Sequence, residues 1–247
     1  TGGAVTITAK LDAAAGRDVT VTLTRNGTAK NNIDYTISGM TILIAEGSLS
    51  NFVTLAAIGD VLFEVNETVT LDINTVINAA EKDGFQQQIV TIQDDDVRPT
   101  VTLAVTSASM DEDFGTTVVF VNATLSLVSG LDATVNLAKS GTAKDNIDYS
   151  MSPSIFIPAG SATQSTLLEA LGDLLSEDNE TVVIDIDTTA GAEEAVPQQV
   201  TVTIMDDDSL PTVLLSVDSL SINESAPGDV TNVKATVSAI AGRNVTV

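Results

Sequence analysis

The chain contains no Cys, no His and no Trp, and only 3% of its 247 residues are aromatic. Without cysteine there is no disulfide framework and no thiol chemistry. Without histidine there is no imidazole acid or base and no His-ligated zinc. Basic residues are scarce as well: 10 Lys and Arg stand against 34 Asp and Glu, a formal net charge of −24. Nucleic-acid binding needs Lys and Arg to displace counterions, so this balance argues for no nucleic-acid partner. No apolar run approaches the roughly 20 residues that span a bilayer, so no membrane insertion is expected of this segment. Residue 1 is Thr and no secretory leader is visible, which reads as a processed chain or a piece of a longer one.

What the chain has is a hydrophobic fraction of 43%, too high for a disordered acidic tail, and a repeat. Asp34-Tyr35 recurs 114 residues on as Asp148-Tyr149, Gly59-Asp60 recurs 113 residues on as Gly172-Asp173, and Asp94 recurs 112 residues on as Asp206. Three segments are therefore expected: residues 1–96, a copy lacking its first strand; 97–208, a complete copy; and 209–247, the opening of a third.

Within the complete copy apolar residues alternate with polar ones. Val101, Leu103 and Val105 form one run, and Val119, Val121, Ala123 and Leu125 the next, matching Val5, Ile7, Ala9 and Leu11 of the first copy. Ala133, Val135 and Leu137 follow, then Ile155 to Ile157, Ser165 to Ala170, Val182 to Ile186, and Val200 to Ile204. A period of two marks half-buried strands. About seven of them in about 110 residues predict an all-β fold, tandem immunoglobulin-like seven-stranded β-sandwiches. Helical spacing is confined to the neighbourhood of Thr75 to Lys82.

Each of the first two copies closes its last alternating run with three adjacent carboxylates, Asp94-Asp95-Asp96 and Asp206-Asp207-Asp208, with a proline three residues later. Two like charges about 4 Å apart cost about 4 kcal/mol at an effective dielectric of about 20. Such a knot is either solvated or filled by a cation. A solvated rim has no reason to repeat the same acids at the same spacing.

The segments Gly27-Thr-Ala-Lys-Asn-Asn-Ile-Asp34-Tyr35 and Gly141-Thr-Ala-Lys-Asp-Asn-Ile-Asp148-Tyr149 resemble the "GTA…DY" segment of Calx-β domains. Asp60-Val-Leu-Phe-Glu64-Val-Asn-Glu67-Thr and Asp173-Leu-Leu-Ser-Glu177-Asp-Asn-Glu180-Thr resemble the family's "D-x-x-x-E-x-x-E-T" segment, and the triple Asp closes the pattern in both copies. The resemblance implies a seven-stranded sandwich that binds several Ca²⁺ ions at one end. It implies as ligands Glu112, Asp148, Asp173, Glu177, Glu180, Asp206, Asp207 and Asp208 with the Leu175 carbonyl in the second copy. In the first it implies Asp34, Asp60, Glu64, Glu67, Asp94, Asp95 and Asp96 with the Leu62 carbonyl. The first-strand Glu has no counterpart in the first copy; in the third it is Glu224, without its partners. Gly59 and Gly172 stand where the best-known members carry a further Asp, one ligand fewer per copy. The chemistry suits calcium, which takes six to eight oxygen ligands, better than Mg²⁺, which prefers few protein ligands in a rigid octahedron.

Other readings are weaker. Asp185-Ile-Asp187 lacks the Gly and the closing Glu of an EF-hand loop. Tyr35 and Tyr149 read as packed aromatics with their hydroxyls at the rim. Asn26, Asn66, Asn122, Asn179, Asn223 and Asn244 match the N-glycosylation pattern, which chance supplies readily in a Thr-rich chain. Glycosidase chemistry needs two opposed acids in a cleft, and sugar sites usually add aromatic platforms that are scarce here, so no enzyme is expected.

The function expected is a structural calcium-binding repeat array: a stiff extracellular or cell-surface rod, filament or adhesin stalk. Its partners would be calcium ions, neighbouring repeats of the same chain or fibre, and a cell-surface or matrix target. The alternative is a calcium-sensing regulatory module of a membrane exchanger or receptor. Residues 227–247 align with residues 1–21, an overlap that favours a window of a longer covalent array over strand donation between chains. Only Val97-Arg98-Pro99 and Ser209-Leu210-Pro211 join the copies. Three residues reach at most about 11 Å, so calcium beside such a joint is expected to stiffen it.

Overall fold

The computed structural model describes residues 2–82, 84, 86–112, 118–224, 228 and 230–247. The chain divides into two compact units, residues 1–97 and 98–247. Among the described residues every regular element is a strand.

The first unit contains β1 (Ala4–Lys10), β2 (Val19–Gly27), β3 (Tyr35–Ile37), β4 (Thr41–Ile44), β5 (Ser50–Ala57), β6 (Glu67–Ile77) and β7 (Gln88–Ile92). They form two sheets, β1-β5-β3 and β4-β2-β6-β7. The second unit contains β8 (Thr100–Val105), β9 (Ser109–Asp111), β10 (Val118–Leu125), β11 (Ala133–Gly141), β12 (Tyr149–Met151), β13 (Ser154–Ile157), β14 (Thr163–Ala170), β15 (Glu180–Ala190), β16 (Glu193–Glu194) and β17 (Gln199–Met205). Their two sheets run β12-β14-β10-β8-β16 and β13-β11-β15-β17-β9. Beyond them, β18 (Val213–Val217) and β19 (Val233–Val237) pair as an antiparallel ribbon.

Alternation builds the sandwich. On β10, Val119, Val121, Ala123 and Leu125 face inward and are buried, as are Val182 and Ile184 on β15 and Val202 and Ile204 on β17. They share one core between the two sheets. Each fully buried Val, Leu or Ile contributes about 1.5–3 kcal/mol. Tyr35 and Tyr149 are core residues, each 2% exposed.

The seven-run pattern undercounts the elements. Three short strands, β9, β12 and β16, lie between the runs. After the opening run the chain changes sheets: β8 pairs with β10 in one sheet, whereas β9 pairs parallel to β17 in the other. The buried Met110 of β9 anchors this crossing. The helical expectation near Thr75 is corrected. Thr75 and Ile77 are the end of β6, paired with Thr22 and Thr20, and the chain then turns at Asn78 with φ of 63°. The eleven residues of β6, rich in β-branched side chains, pair more favourably with β2 than they would coil.

The register sets one end of each sandwich apart. In the second unit Tyr149 pairs with Ala170, Glu180 with Ile204, and Met205 with Asp111. Glu180 lies in one of these last pairs, Asp148, Glu112 and Asp206 come within two residues beyond them, and Asp173 follows three residues after Ala170. In the first unit Tyr35 pairs with Ala57 and Glu67 with Ile92, and the acids beyond are Asp34, Asp60 and Asp94.

Candidate metal centre

The "GTA" and "ET" segments turn out to be two halves of one clamp. Gly27 and Gly141 end β2 and β11 with φ of 122° and 118°, and a Cβ on either would collide with the carbonyl of Thr68 or Thr181. Only glycine allows that approach. Ala29 and Ala143 then donate to the same carbonyls, each at 3.1 Å. In return Thr68 N–H donates to Thr28 Oγ1 at 2.9 Å, and Thr181 N–H to Thr142 Oγ1 at 2.8 Å. The residue so pinned directly follows Glu67 or Glu180.

The rest of the segment forms a tight loop. Asn32 and Asn146 take left-handed φ values of 66° and 63°, which Asn tolerates. The Lys144 N–H donates to Asp148 Oδ2 at 2.6 Å, and Lys30 N–H makes the same bond to Asp34. Asp60 and Asp173 each accept the N–H two residues on, from Leu62 at 2.7 Å and Leu175 at 2.6 Å. These bonds orient the carboxylates and leave one oxygen of each for another partner.

Two residues that the sequence reading dismissed hold the triple Asp in place. Asn66 Oδ1 accepts from Asp94 N–H at 3.0 Å, and Asn179 Oδ1 accepts from Asp206 N–H at 3.1 Å. The signal was on view as Asn-Glu-Thr at the same place in both copies, read there only as a glycosylation pattern. Asp206 Oδ1 also accepts from Glu177 N–H at 3.1 Å, tying the two acidic loops together.

The acids press on one another. Burial and then the charges of Asp173, Glu177, Asp206 and Asp208 push Glu112 up to about 7. Burial, a hydrogen bond with Asp148, and the charges of Asp148 and Glu177 push Glu180 up to about 7, against the pull of Lys144. Glu177 is raised by burial and then by Asp173, Asp148 and Asp206. In the first unit Glu64 is raised by burial, Asp60, Asp34 and Asp94, and Glu67 by burial and by Asp34. Asp96 and Asp208 are raised by partial desolvation and by the acids beside them.

Asp34, Asp60, Glu64, Glu67 and Asp94, Asp95 and Asp96 together line a recess of about 50 Å³. The Leu62 and Leu175 carbonyls belong to the turns that Asp60 and Asp173 organise. Each triple Asp alternates like a strand: Asp94 and Asp96, and Asp206 and Asp208, are half-buried, whereas Asp95 and Asp207 are exposed. Glu224 lies on an exposed turn after β18 and takes no part in these interactions. Arg98, just past the first triple Asp, pairs with Glu193 at 3.5 Å.

The donor set is all oxygen, and Glu64, Glu67, Glu112, Glu177 and Glu180 are held above the usual carboxylate range by burial and by the acids around them. Among the described residues no three such groups are drawn together closely enough to hold an ion as they stand. A cation would have to draw them in. With that motion the residues fit a hard, oxygen-loving ion.

Fold and site together define paired two-sheet β-sandwiches that gather acidic loops at one end. The profile of the Calx-beta domain matches residues 1–96 and again 94–208, and the chain belongs to that family. Solved structures with a similar outline include CBD12 from CALX1.2 (12% identity, covering 82% of this chain and 93% of that one, TM-score 0.34). Another is the apo form of the Calx CBD1 domain (24% identity, covering 44% of this chain and 99% of that one, TM-score 0.36). The assignment rests on the family profile alone. No curated protein sequence matches the chain. Among the described residues no helix is long and apolar enough to cross a membrane.

Proposed function

We propose that each of the first two repeats binds Ca²⁺ at its acidic end, and that the chain serves as a structural segment of an extracellular or cell-surface array. The observation that carries the calcium reading is the mutual crowding of Glu112, Asp173, Glu177, Asp206 and Asp208, which come from three separate loops, with a parallel set in the first unit. The ligands proposed are Glu112, Asp148, Asp173, Glu177, Glu180, Asp206, Asp207, Asp208 and the Leu175 carbonyl. Those of the first unit are Asp34, Asp60, Glu64, Glu67, Asp94, Asp95, Asp96 and the Leu62 carbonyl. Glu224 is their counterpart in the third copy. A bound cation supplies the positive charge that lets these carboxylates ionise side by side. The chain's own part is to hold them: the Gly-Thr-Ala clamp fixes Glu67 and Glu180, the Asx turns fix Asp60 and Asp173, and Asn66 and Asn179 fix the start of each triple Asp.

The array reading rests on direct succession. The opening strands of a third copy follow the second after only Ser209-Leu210-Pro211. Repeats joined this closely behave as quasi-one-dimensional objects. Calcium beside such joints would stiffen them, and the partners would be neighbouring repeats and a cell-surface or matrix target.

Thermal melting in millimolar calcium and in EDTA tests the calcium reading. An ion that binds only the folded state adds about 2.7 kcal/mol per site at a hundredfold excess over its Kd. The expected result is a rise in Tm of about 10 °C or more, and equal melting in both buffers overturns it. Small-angle scattering of the same chain tests the array reading. Stiffening in calcium supports a rod, and a profile indifferent to calcium despite binding favours a sensor module.

A further inference from the structure

The two repeats differ at one edge of one sheet. In the first, three residues, Ser38-Gly39-Met40, carry the chain from β3 to β4; in the second only Ser152-Pro153 lead from β12 to β13. The extra residue serves the neighbouring strand. Ser38 N–H donates to the Thr54 carbonyl at 2.9 Å, and Ser38 Oγ accepts from the Thr54 N–H at 2.9 Å, so the pairing of β3 with β5 runs one residue further. Ser152, its counterpart, is drawn away. Proline holds the residue before it extended, and the Ser152 hydroxyl donates to the Ser154 carbonyl at 3.0 Å. The pairing of β12 with β14 therefore stops at Met151, opposite Leu168.

The strand left without a neighbour is β14. Leu171 N–H donates to the Asp148 carbonyl on the β12 side. In an antiparallel ladder alternate residues turn their backbone groups to the same neighbour, so Leu167 and Ser165 face that side as well. Among the described residues the Leu167 N–H and carbonyl have no partner there. The Ser165 N–H has only Gln164 Oε1, at 3.3 Å. Its counterpart in the first unit is better closed: Phe52 N–H donates to Asn51 Oδ1 at 2.9 Å, and Asn51 Nδ2 reaches the Leu43 carbonyl at 2.7 Å. The open stretch borders a groove lined by Met151, Ser152, Ser165, Leu167 and Glu169. Leu167 and Phe120 stand opposite each other on its outer face, 47% and 44% exposed. The first unit has Thr54 and Thr6 in their places.

We propose that this open edge of β14 is a strand-addition site, and that it takes an extended segment of another protein, apolar beside Leu167 and cationic beside Glu169. The proposal goes beyond the calcium reading and does not depend on it. Unpaired N–H and C=O groups on alternate residues recognise peptide backbone, and the side chains beside them choose the sequence. Proteins guard such edges with Lys, Pro or a bulge, and Thr163, Ser165 and Leu167 supply none of these. Glu169 is the one charged residue among those that line the groove, which calls for a cation in the partner. A second copy of a chain with net charge −24 brings acids to that place instead.

Amide hydrogen exchange of the intact chain tests this, with a capped heptapeptide of alternating Val and Thr that carries Lys at both ends. Exchange at Ser165 and Leu167 should slow about tenfold in excess peptide, and exchange at Phe52 and Thr54 should not change. No slowing at Ser165 and Leu167 overturns the site. The same peptide N-methylated throughout should be inert; equal slowing by it means that side chains bind and no ladder forms. Leu167→Pro removes an N–H that faces the groove and serves no bond of the fold, a place where a strand tolerates proline. It should abolish the slowing at Ser165, and slowing that persists overturns strand addition. A peptide ending in Glu should bind about fivefold more weakly, and equal binding overturns the cationic requirement. Slowing at Leu167 that grows with protein concentration and needs no peptide gives the edge to a second copy and overturns the proposed occupant. The melting transition of the second unit checks that Leu167→Pro remains folded.

Discussion

β1 and β10 carry the same inward pattern, Val5-Ile7-Ala9-Leu11 against Val119-Val121-Ala123-Leu125, and meet different fates. Val119 is 1% exposed and Val5 43%. The cause is a neighbour. β10 lies between β14 and β8, whereas among the described residues β1 pairs only with β5. An apolar face leaves water only where another strand widens the sheet above it. The acidic ends differ in the same way. β9 delivers Glu112 beside β17 in the second unit, and the first unit has no strand in that place among its described residues. Burial and then crowding lift two glutamates to about 7 in the second unit, Glu112 and Glu180. In the first unit Glu64 and Glu67 are raised by burial and by the counterparts of the acids that raise Glu177 and Glu180, and no counterpart of Glu112 stands beside them among the described residues. The same motif binds charge more tightly together when the sheet behind it is complete.

Breaking the clamp should give the largest effect. Gly141→Ala forces a side chain into a left-handed position against the Thr181 carbonyl, and Gly27→Ala does the same against Thr68. Each should cost its own unit about 3 kcal/mol. Calorimetry should show one transition lowered and the other unmoved, and the second unit, with the fuller core, should survive the better. Equal lowering of both transitions by either substitution would mean that the two sandwiches do not melt separately.

The asparagine props come next. Asn179→Ala and Asn66→Ala each remove one acceptor from an exposed backbone N–H, a loss of about 1 kcal/mol. Calcium titration should show about tenfold weaker binding in the altered repeat and none in the other. An affinity that survives both substitutions would show that the triple Asp is held by the cation alone.

The smallest effect concerns pH in chelator. A carboxyl raised in the folded state binds a proton that the unfolded chain has already released, so it stabilises the fold at low pH. That contribution is full below about 4.5 and disappears as pH rises through about 7 for Glu112 and Glu180. The calcium-free second unit should therefore be more stable at pH 5 than at pH 7.5, and the first unit should show a shallower slope. Urea unfolding at the two pH values measures it. Glu112→Gln should flatten the slope of the second unit, and a slope untouched by that change would refute the role given to Glu112.

Much of this was legible in the residues. The alternation of Val and Thr announced strands, and the repeated acids announced a site, because both are local patterns written at fixed spacing. The passage from β8 in one sheet to β9 in the other was not, since Thr106 to Ala108 carry no Gly or Pro to mark the crossing. Asn66 and Asn179 were misread because a side chain that caps a distant backbone group leaves no periodic trace. Near Thr75, β-branched residues suited either reading until the pairing with β2 decided.

By itself the sequence determined an all-β chain, an all-oxygen set of candidate ligands and a repeat that offers them twice. Those follow from side-chain chemistry and from periods of two and about 113, which need no partner to be read. Only the tertiary structure decided which alternating faces are dry, which acids press on one another, and which stretch of β14 is left without a neighbour. Desolvation and Coulomb repulsion depend on what stands across the gap, and the strands that stand there are tens of residues away along the chain.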